Sequence, residues 1–455
     1  MKIKNKISLL LVLLTLLFTL TLTLSSCGDT AAGSDVIYSK EEILASVNSE
    51  KNEDRGLVWE YLDHWKFPAF DKAKLRKTEN LYRKKYYEEI PSSYYIATEI
   101  ANTFLEETYD NIDLSNSQKV TDALLYSFVE VIGDPYSFYR TNEQFEDYTS
   151  EMSGTKPAFY GIGVNVRTVL VDGGILVIKP IRNSPAYKAG VLANDIIIAI
   201  DGVSVAETGY DAAVESIKGE AGTNVTLTIK RGEDTLEITV TRAPVVNPTV
   251  DYELSENKIG YIDINSFKGN TDELFIEAID YMVENGAKAL IYDVRYNGGG
   301  YLETVVNMLD YIAKDGTTLA SFSNDYASSE KSNDGHSLSL PTVVVCNASS
   351  ASASELFTQG LRDLGEMGQF DVTVVGQTTY GKFVMQNTYT LHDDSAITLT
   401  VAYYYSPLGK QFNGVGISPN VDITVGLDDK EIEKLSDSDY LDPAFLEAEK
   451  LIQNK

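Results

Sequence analysis

The sequence predicts a multidomain α/β (α+β) protein, and three changes of pattern along the chain predict it. Residues 55–155 read as mostly helical, with apolar residues at helical spacing over 96–105 and 120–132. Short alternating runs bounded by turn residues fill residues 156–246. From Lys258 onward, strand-like and helix-like runs alternate, as in a largely parallel sheet. At 455 residues the chain is long enough for two or three domains with cores of their own. The expected divisions are a leader over 1–26, a tether over 27–54, a helical region over 55–155, a β-domain over 156–246, an α/β core over 247–425 and a tail with a helix over 426–455.

The chain opens with Lys2, Lys4 and Lys6, then an apolar run over residues 9–24. That run is short for a membrane span, which needs about 20 residues. Leu24-Ser25-Ser26-Cys27 ends it and resembles a bacterial lipobox, which implies cleavage before Cys27 and a lipid on that cysteine. The expected location is therefore the cell envelope, outside the cytoplasm and anchored to the membrane. With Cys27 lipidated, Cys346 has no partner for an intrachain disulfide. Cys346 ends Thr342-Val343-Val344-Val345-Cys346, a continuous apolar run typical of a buried strand. No His, Cys and carboxylate cluster has metal-ligand spacing, so no metal and no cofactor are expected. The formal net charge of −29 argues against nucleic acid and against electrostatic docking on anionic lipid.

The elements follow in order. Residues 96–105 and 120–132 are amphipathic helices, and Gly133-Asp134-Pro135 stops the second. Gly161-Ile162-Gly163-Val164 opens a strand, and Asp172-Gly173-Gly174 is a hairpin turn. Ser184-Pro185 begins a short helix that ends at Gly190. Residues 195–202 form a strand and turn, and residues 225–229 alternate as a further strand. The Gly161–Val164 loop, the Ser184–Gly190 step, the 195–202 strand and the strand at 225–229 together resemble a PDZ domain. In the core, residues 259–264 and 289–294 are strands flanking a helix over 272–285, which Gly286 ends. Asp442-Pro443 has the form of a helix start.

Two segments carry chemistry. Ser350-Ala351-Ser352-Ala353-Ser354-Glu355 follows the buried strand 342–346 and leads into a helix expected over 351–364. Ser352 then lies near a helix N-terminus, where free N–H groups and the helix dipole favour developing negative charge. With three histidines in the chain, the candidate base is Lys382, in Gly381-Lys382-Phe383. A neutral lysine requires burial, which lowers its pKa by up to ~3–5 units. If residues 382–390 are one strand, Lys382, Val384 and Gln386 share a face, and Gln386 holds the amine without adding charge. Asp293-Val294-Arg295-Tyr296-Asn297-Gly298-Gly299-Gly300 follows another buried strand. Backbone N–H groups of Gly299 or Gly300, with that of Ala353, are the candidate oxyanion donors. A rival triad would draw on His64, His336 or His392, each more in keeping with a surface position.

In this order the motifs resemble the carboxyl-terminal processing (tail-specific) peptidase family across roughly residues 95–425. Asp134-Pro135-Tyr136-Ser137, the Gly161–Val164 loop, the Asp293–Gly300 loop, the Ser350–Glu355 motif, Gly381-Lys382 with Gln386, Tyr403-Tyr404-Tyr405-Ser406-Pro407 and Gly416-Ile417-Ser418-Pro419 carry the resemblance. It implies a crotonase-like α/β core and a serine-type endopeptidase working through a Ser352–Lys382 dyad. It also implies that unfolded or tail-exposed proteins are the substrates. Their C-termini would add as a strand in the PDZ domain at Gly161, Ile162, Gly163 and Val164. A homo-oligomer is left open. Phe383 stands where the family usually has Gly, and residues 366–370 lengthen the Ser-to-Lys spacing. Asp363 resembles an acidic position of the family and is read here as structural. The alternative is a catalytically idle PDZ lipoprotein that recruits partners.

Overall fold

A computed structural model describes residues 37–453 except 50–54, 155–158, 325–327 and the single positions 172, 182, 193, 247, 334 and 433. The expected leader, Cys27 and Asp172 lie outside the described residues. Among the described residues no helix is long and apolar enough to cross a membrane.

The helical region gathers Val58–His64, Lys72–Lys85, Ser93–Thr103 and Ser117–Ile132 around Trp65, Tyr82, Phe104 and Phe128. Asp71, Ser92 and Asn116 cap three of these helices with side-chain oxygens. Gly133, at φ 75°, ends the fourth in the left-handed conformation. The expected tether holds a helix of its own. Lys40–Ser49 buries Ile43 and Val47 in the same core, and apolar residues at a four-residue spacing drive it there.

The PDZ region is a six-stranded sheet with Val164–Val171 at one edge, paired to Gly174–Pro180. The helix Pro185–Ala189 starts on a Ser184 cap and ends at Gly190, φ 87°. The helix Tyr210–Ile217 places Val214 and Ile217 against the edge strand, with Ile162, Val177, Ile197 and Leu227 beneath.

The core is built on a six-stranded sheet. Its order is Val250–Leu254, Ile259–Ile264, Ala289–Asp293, Thr342–Cys346, Val372–Gly376 and Val421–Asp422. The first strand is antiparallel to its neighbour, and the others run parallel. Burial on both faces explains the unbroken apolar runs. Helices Thr271–Glu284, Leu302–Ile312 and Ala353–Glu366 cover one face, around Phe275, Tyr292 and Phe357.

The opposite face is covered by Asp437–Gln453, through Tyr440, Ala444 and Ala448. The tail is thus part of the core. Its helix begins before Asp442, because Ser436 donates both N–H and Oγ–H to Asp439 and sets an earlier start. Pro443 lies inside it. A second sheet joins the core to the helical region. Its long strand Ala396–Tyr405 gives Ile397, Leu399 and Val401 to the helical core and Tyr404 to the α/β core.

Candidate active site

The site lies at the carboxyl ends of the parallel strands, where α/β sheets place their ligand crevices. Strand Thr342–Cys346 runs into a turn that ends at Ser352, and the helix begins at Ala353, two residues later than its sequence pattern suggests. Ser352 is 8% exposed and takes φ 57°, ψ −114°, a conformation a non-glycine residue holds only under constraint. The constraint is visible. Ala351 N–H and Ser354 Oγ–H both donate to Asn297 O, at 3.0 and 2.7 Å, and Ser350 Oγ–H donates to Val294 O at 2.7 Å.

Glu355 is the functional residue whose role sequence reasoning missed. Its fully buried carboxylate accepts from Ser352 N–H (2.8 Å) and Lys382 N–H (2.7 Å) through Oε2. Through Oε1 it accepts from Gly381 N–H (2.7 Å) and Thr379 Oγ–H (2.5 Å). One side chain thereby fixes the backbones of Ser352 and Lys382, 30 residues apart in sequence. Burial raises its pKa, and the four donors act against that rise. The signal was present in its spacing: a glutamate three residues after a serine that opens a helix is a capping-box partner.

Lys382 lies just ahead of the strand Val384–Thr390 rather than on it, and a register shift separates Met385 from Gln386. The shared-face argument for Gln386 therefore does not hold. Its amide donates instead to Val384 O and Thr400 Oγ1, both at 3.2 Å. Thr400 in turn donates to Asp134, which also receives Ser137 Oγ–H. Lys382 Nζ sits over the Tyr136 ring, 4.5 Å from its centroid, and no hydrogen bond to Ser352 Oγ is present in this resting arrangement. Burial lowers the pKa of the amine, while Asp134 and Glu355 pull it back up. The Tyr404 hydroxyl donates to Lys382 O (2.5 Å) and lies against Ser352. Phe383 is fully buried, stacked on Tyr404 at 5.0 Å and edge-on to Phe412 at 5.5 Å, which accounts for a large residue at that position.

The glycine loop meets the turn that ends at Ser352. A side chain on Gly299 would strike Ala351 O, Ser352 Cβ and Ala353 N at 2.8–3.0 Å, and its φ is 103°. Gly299 is nevertheless no oxyanion donor, since its N–H is held by Asn297 Oδ1 at 2.9 Å. The N–H groups of Gly300 and Ala353 have no acceptor among the described residues. Asp363 receives Lys410, Ser406 and Leu408 N–H, and ties the helix to residues 406–410. His392 pairs with Asp71 at 2.8 Å and His336 stacks on Tyr311, while His64 ends a helix, so no histidine joins the site. Cys346 is buried in its strand, with its thiol pushed up to about 12 by burial.

Two cavities meet at Ser352. One, of about 750 Å³, has a mixed lining that includes Phe145, Tyr148, Leu302 and Met385 beside Glu303 and Glu330. The other, of about 480 Å³, holds Lys382, Gly299, Gly300 and Gln386. A separate groove of about 200 Å³ runs beside Gly161, Ile162, Gly163 and Val164, floored by Val166, Val214 and Ile217.

The profile of peptidase family S41 matches residues 258–423, and that of the PDZ domain residues 176–231. The chain is 32% identical over 340 residues to the carboxy-terminal processing protease CtpA of Bacillus subtilis (strain 168), covering 74% of this chain and 67% of that protein. It is 33% identical over 312 residues to a probable CtpA-like serine protease of Staphylococcus haemolyticus (strain JCSC1435), covering 68% of this chain and 61% of that protein. Among solved structures, the photosystem II D1 C-terminal processing protease aligns with a TM-score of 0.45 at 23% identity, over 76% of this chain and 91% of that one. The buried serine turn, the glycine loop against it and the appended PDZ sheet agree with these sequence matches, and the chain belongs to peptidase family S41, among the CtpA-like carboxy-terminal processing serine proteases.

Proposed function

We propose that this protein is an endopeptidase of the cell envelope, anchored by lipid on Cys27, that receives protein C-termini in its PDZ groove and cuts them with a Ser352–Lys382 dyad. The observation that carries the reading is the Glu355 clamp, which fixes a strained serine and a desolvated lysine at one cavity. Neutral Lys382 takes the Ser352 proton as Oγ attacks the peptide carbonyl. The Gly300 and Ala353 N–H groups stabilise the oxyanion, and Lys382 returns the proton to the leaving amine. Substrate binding brings the amine from the face of Tyr136 onto the hydroxyl, since catalytic hydrogen bonds often tighten only in the complex. A tail laid along the edge strand Val164–Val171 would extend the PDZ sheet.

The test is turnover of casein, or of an unfolded reporter with a free apolar tail, with products mapped by mass spectrometry. Ser352→Ala and Lys382→Ala should each lower turnover by on the order of 10³-fold or more while the thermal transition stays in place. Unchanged turnover in either variant discards the dyad and leaves a peptide-binding lipoprotein as the reading.

A further inference from the structure

The cavity of about 480 Å³ beside Ser352 is lined by three cations, Arg140, Lys268 and Lys382, and by no carboxylate. In a chain of net charge −29 this is a local reversal of sign. Two of the three cations have an evident reason to be there. Lys382 is the proposed base, and Lys268 is paired with Glu151 at 2.5 Å. Arg140 has no carboxylate partner among the described residues. It is half-buried at the end of the strand Phe138–Arg140. Its Nη1 donates to Thr398 Oγ1 at 2.9 Å, and its guanidinium lies 4.1 Å from the Tyr148 ring centroid and 5.1 Å from that of Phe138. Burial lowers its pKa, with Tyr148 and Glu151 opposing. A planar cation that is part-desolvated, fixed by aromatic faces and near Glu151, but in no salt bridge among the described residues, can take a carboxylate.

The chemistry assigns the fragment that occupies this cavity. Lys382, once protonated, gives its proton to the leaving amine, and that amine belongs to the C-terminal piece of the substrate. The cavity that contains Lys382 therefore holds the C-terminal piece, and the cavity of about 750 Å³ holds the acyl piece. We infer that Arg140 binds the terminal α-carboxylate of the substrate inside the catalytic cleft, so that the enzyme also releases short C-terminal peptides at a fixed distance from the chain end. This rests on Ser352 and Lys382 acting as proposed. It is separate from tail capture in the PDZ groove, which lies on another sheet.

The experiment uses the full chain and pairs of peptides of one sequence, ending in a free carboxylate or a carboxamide, with kcat, KM and cleavage position measured for each. Wild type should favour the acid by about 10- to 100-fold in kcat/KM, chiefly through KM, as expected for a charged hydrogen-bonded pair. Its cut should move with the terminus when the peptide is lengthened at that end. Arg140→Gln should bring the acid-to-amide ratio close to one and scatter the cuts, whereas Arg140→Lys should keep part of the preference. A wild-type ratio near one overturns the inference. So does a preference that survives in Arg140→Gln, because it would then reside in the PDZ groove. To separate this from failure of the dyad, binding of the two peptides is also measured with Ser352→Ala. Tighter binding of the acid that Arg140→Gln abolishes in that background supports the carboxylate site whatever the nucleophile, and equal binding removes it.

Discussion

At Lys382 four influences meet, and their signs give a pH profile. Burial disfavours the ammonium, while Asp134, Glu355 and the ring of Tyr136 favour it. In the proposed mechanism Lys382 acts as a neutral base, so kcat/KM should rise with pH and reach half its limit at the pKa of Lys382, below the ordinary lysine value of about 10.4. Tyr136→Leu removes the aromatic face and with it ~0.5–2 kcal/mol of cation stabilisation. The rising limb should then move toward acid by roughly half a unit to one and a half units. A pH–rate series on wild type and variant checks both statements, and a shift toward alkali would show that the ring does not stabilise the charged amine.

At the scale of elements, the helix Ala353–Glu366 is joined to the segment before Val384–Thr390 by one carboxylate. Each charged hydrogen bond of this kind is worth about 1.5–3 kcal/mol, and an unpaired buried N–H costs about 1–3 kcal/mol. Glu355→Gln keeps the size but turns an NH₂ toward donors. Its effect should fall on kcat, by roughly 10- to 1000-fold, with little change in KM, because it loosens reacting groups rather than substrate contacts. Single-turnover and steady-state rates on one peptide separate the two outcomes. The helix Lys72–Lys85 falls in the region the sequence marks as helical, but its aromatic and charged residues hide the apolar face that Leu75 and Tyr82 present, so its bounds are not legible.

At the scale of the molecule, the helical region is bound to the second sheet through Lys74. This fully buried ammonium reaches Asp393 at 2.7 Å, Asp122 at 3.3 Å and the Tyr139 hydroxyl at 2.7 Å. Asp393 titrates below the usual carboxylate range, because hydrogen bonds from Lys74 and Ser395 outweigh its desolvation. Removing one partner of such a buried group typically costs about 3–5 kcal/mol. Lys74→Met should accordingly lower the denaturant midpoint of the helical region. It should also lower activity, since Asp134, Tyr136 and Arg140 reach the cleft from that side. Circular dichroism in urea, with activity read in parallel, tests the coupling.

Local pattern was enough for much of this protein. The strands at 259–264, 289–293 and 342–346, the PDZ sheet, the serine at a helix start and the glycines of the 293–300 loop all write their signals within ten or so residues. Tertiary contact decided the rest. It spent the Gly299 N–H on Asn297, set Lys382 before its strand, sent Gln386 to Thr400, and brought Tyr136 and Arg140 from the helical region to a lysine and a serine more than two hundred residues away. The physical reason is that hydrogen-bond partners and local dielectric belong to neighbours in space, and a linear pattern records only neighbours along the chain.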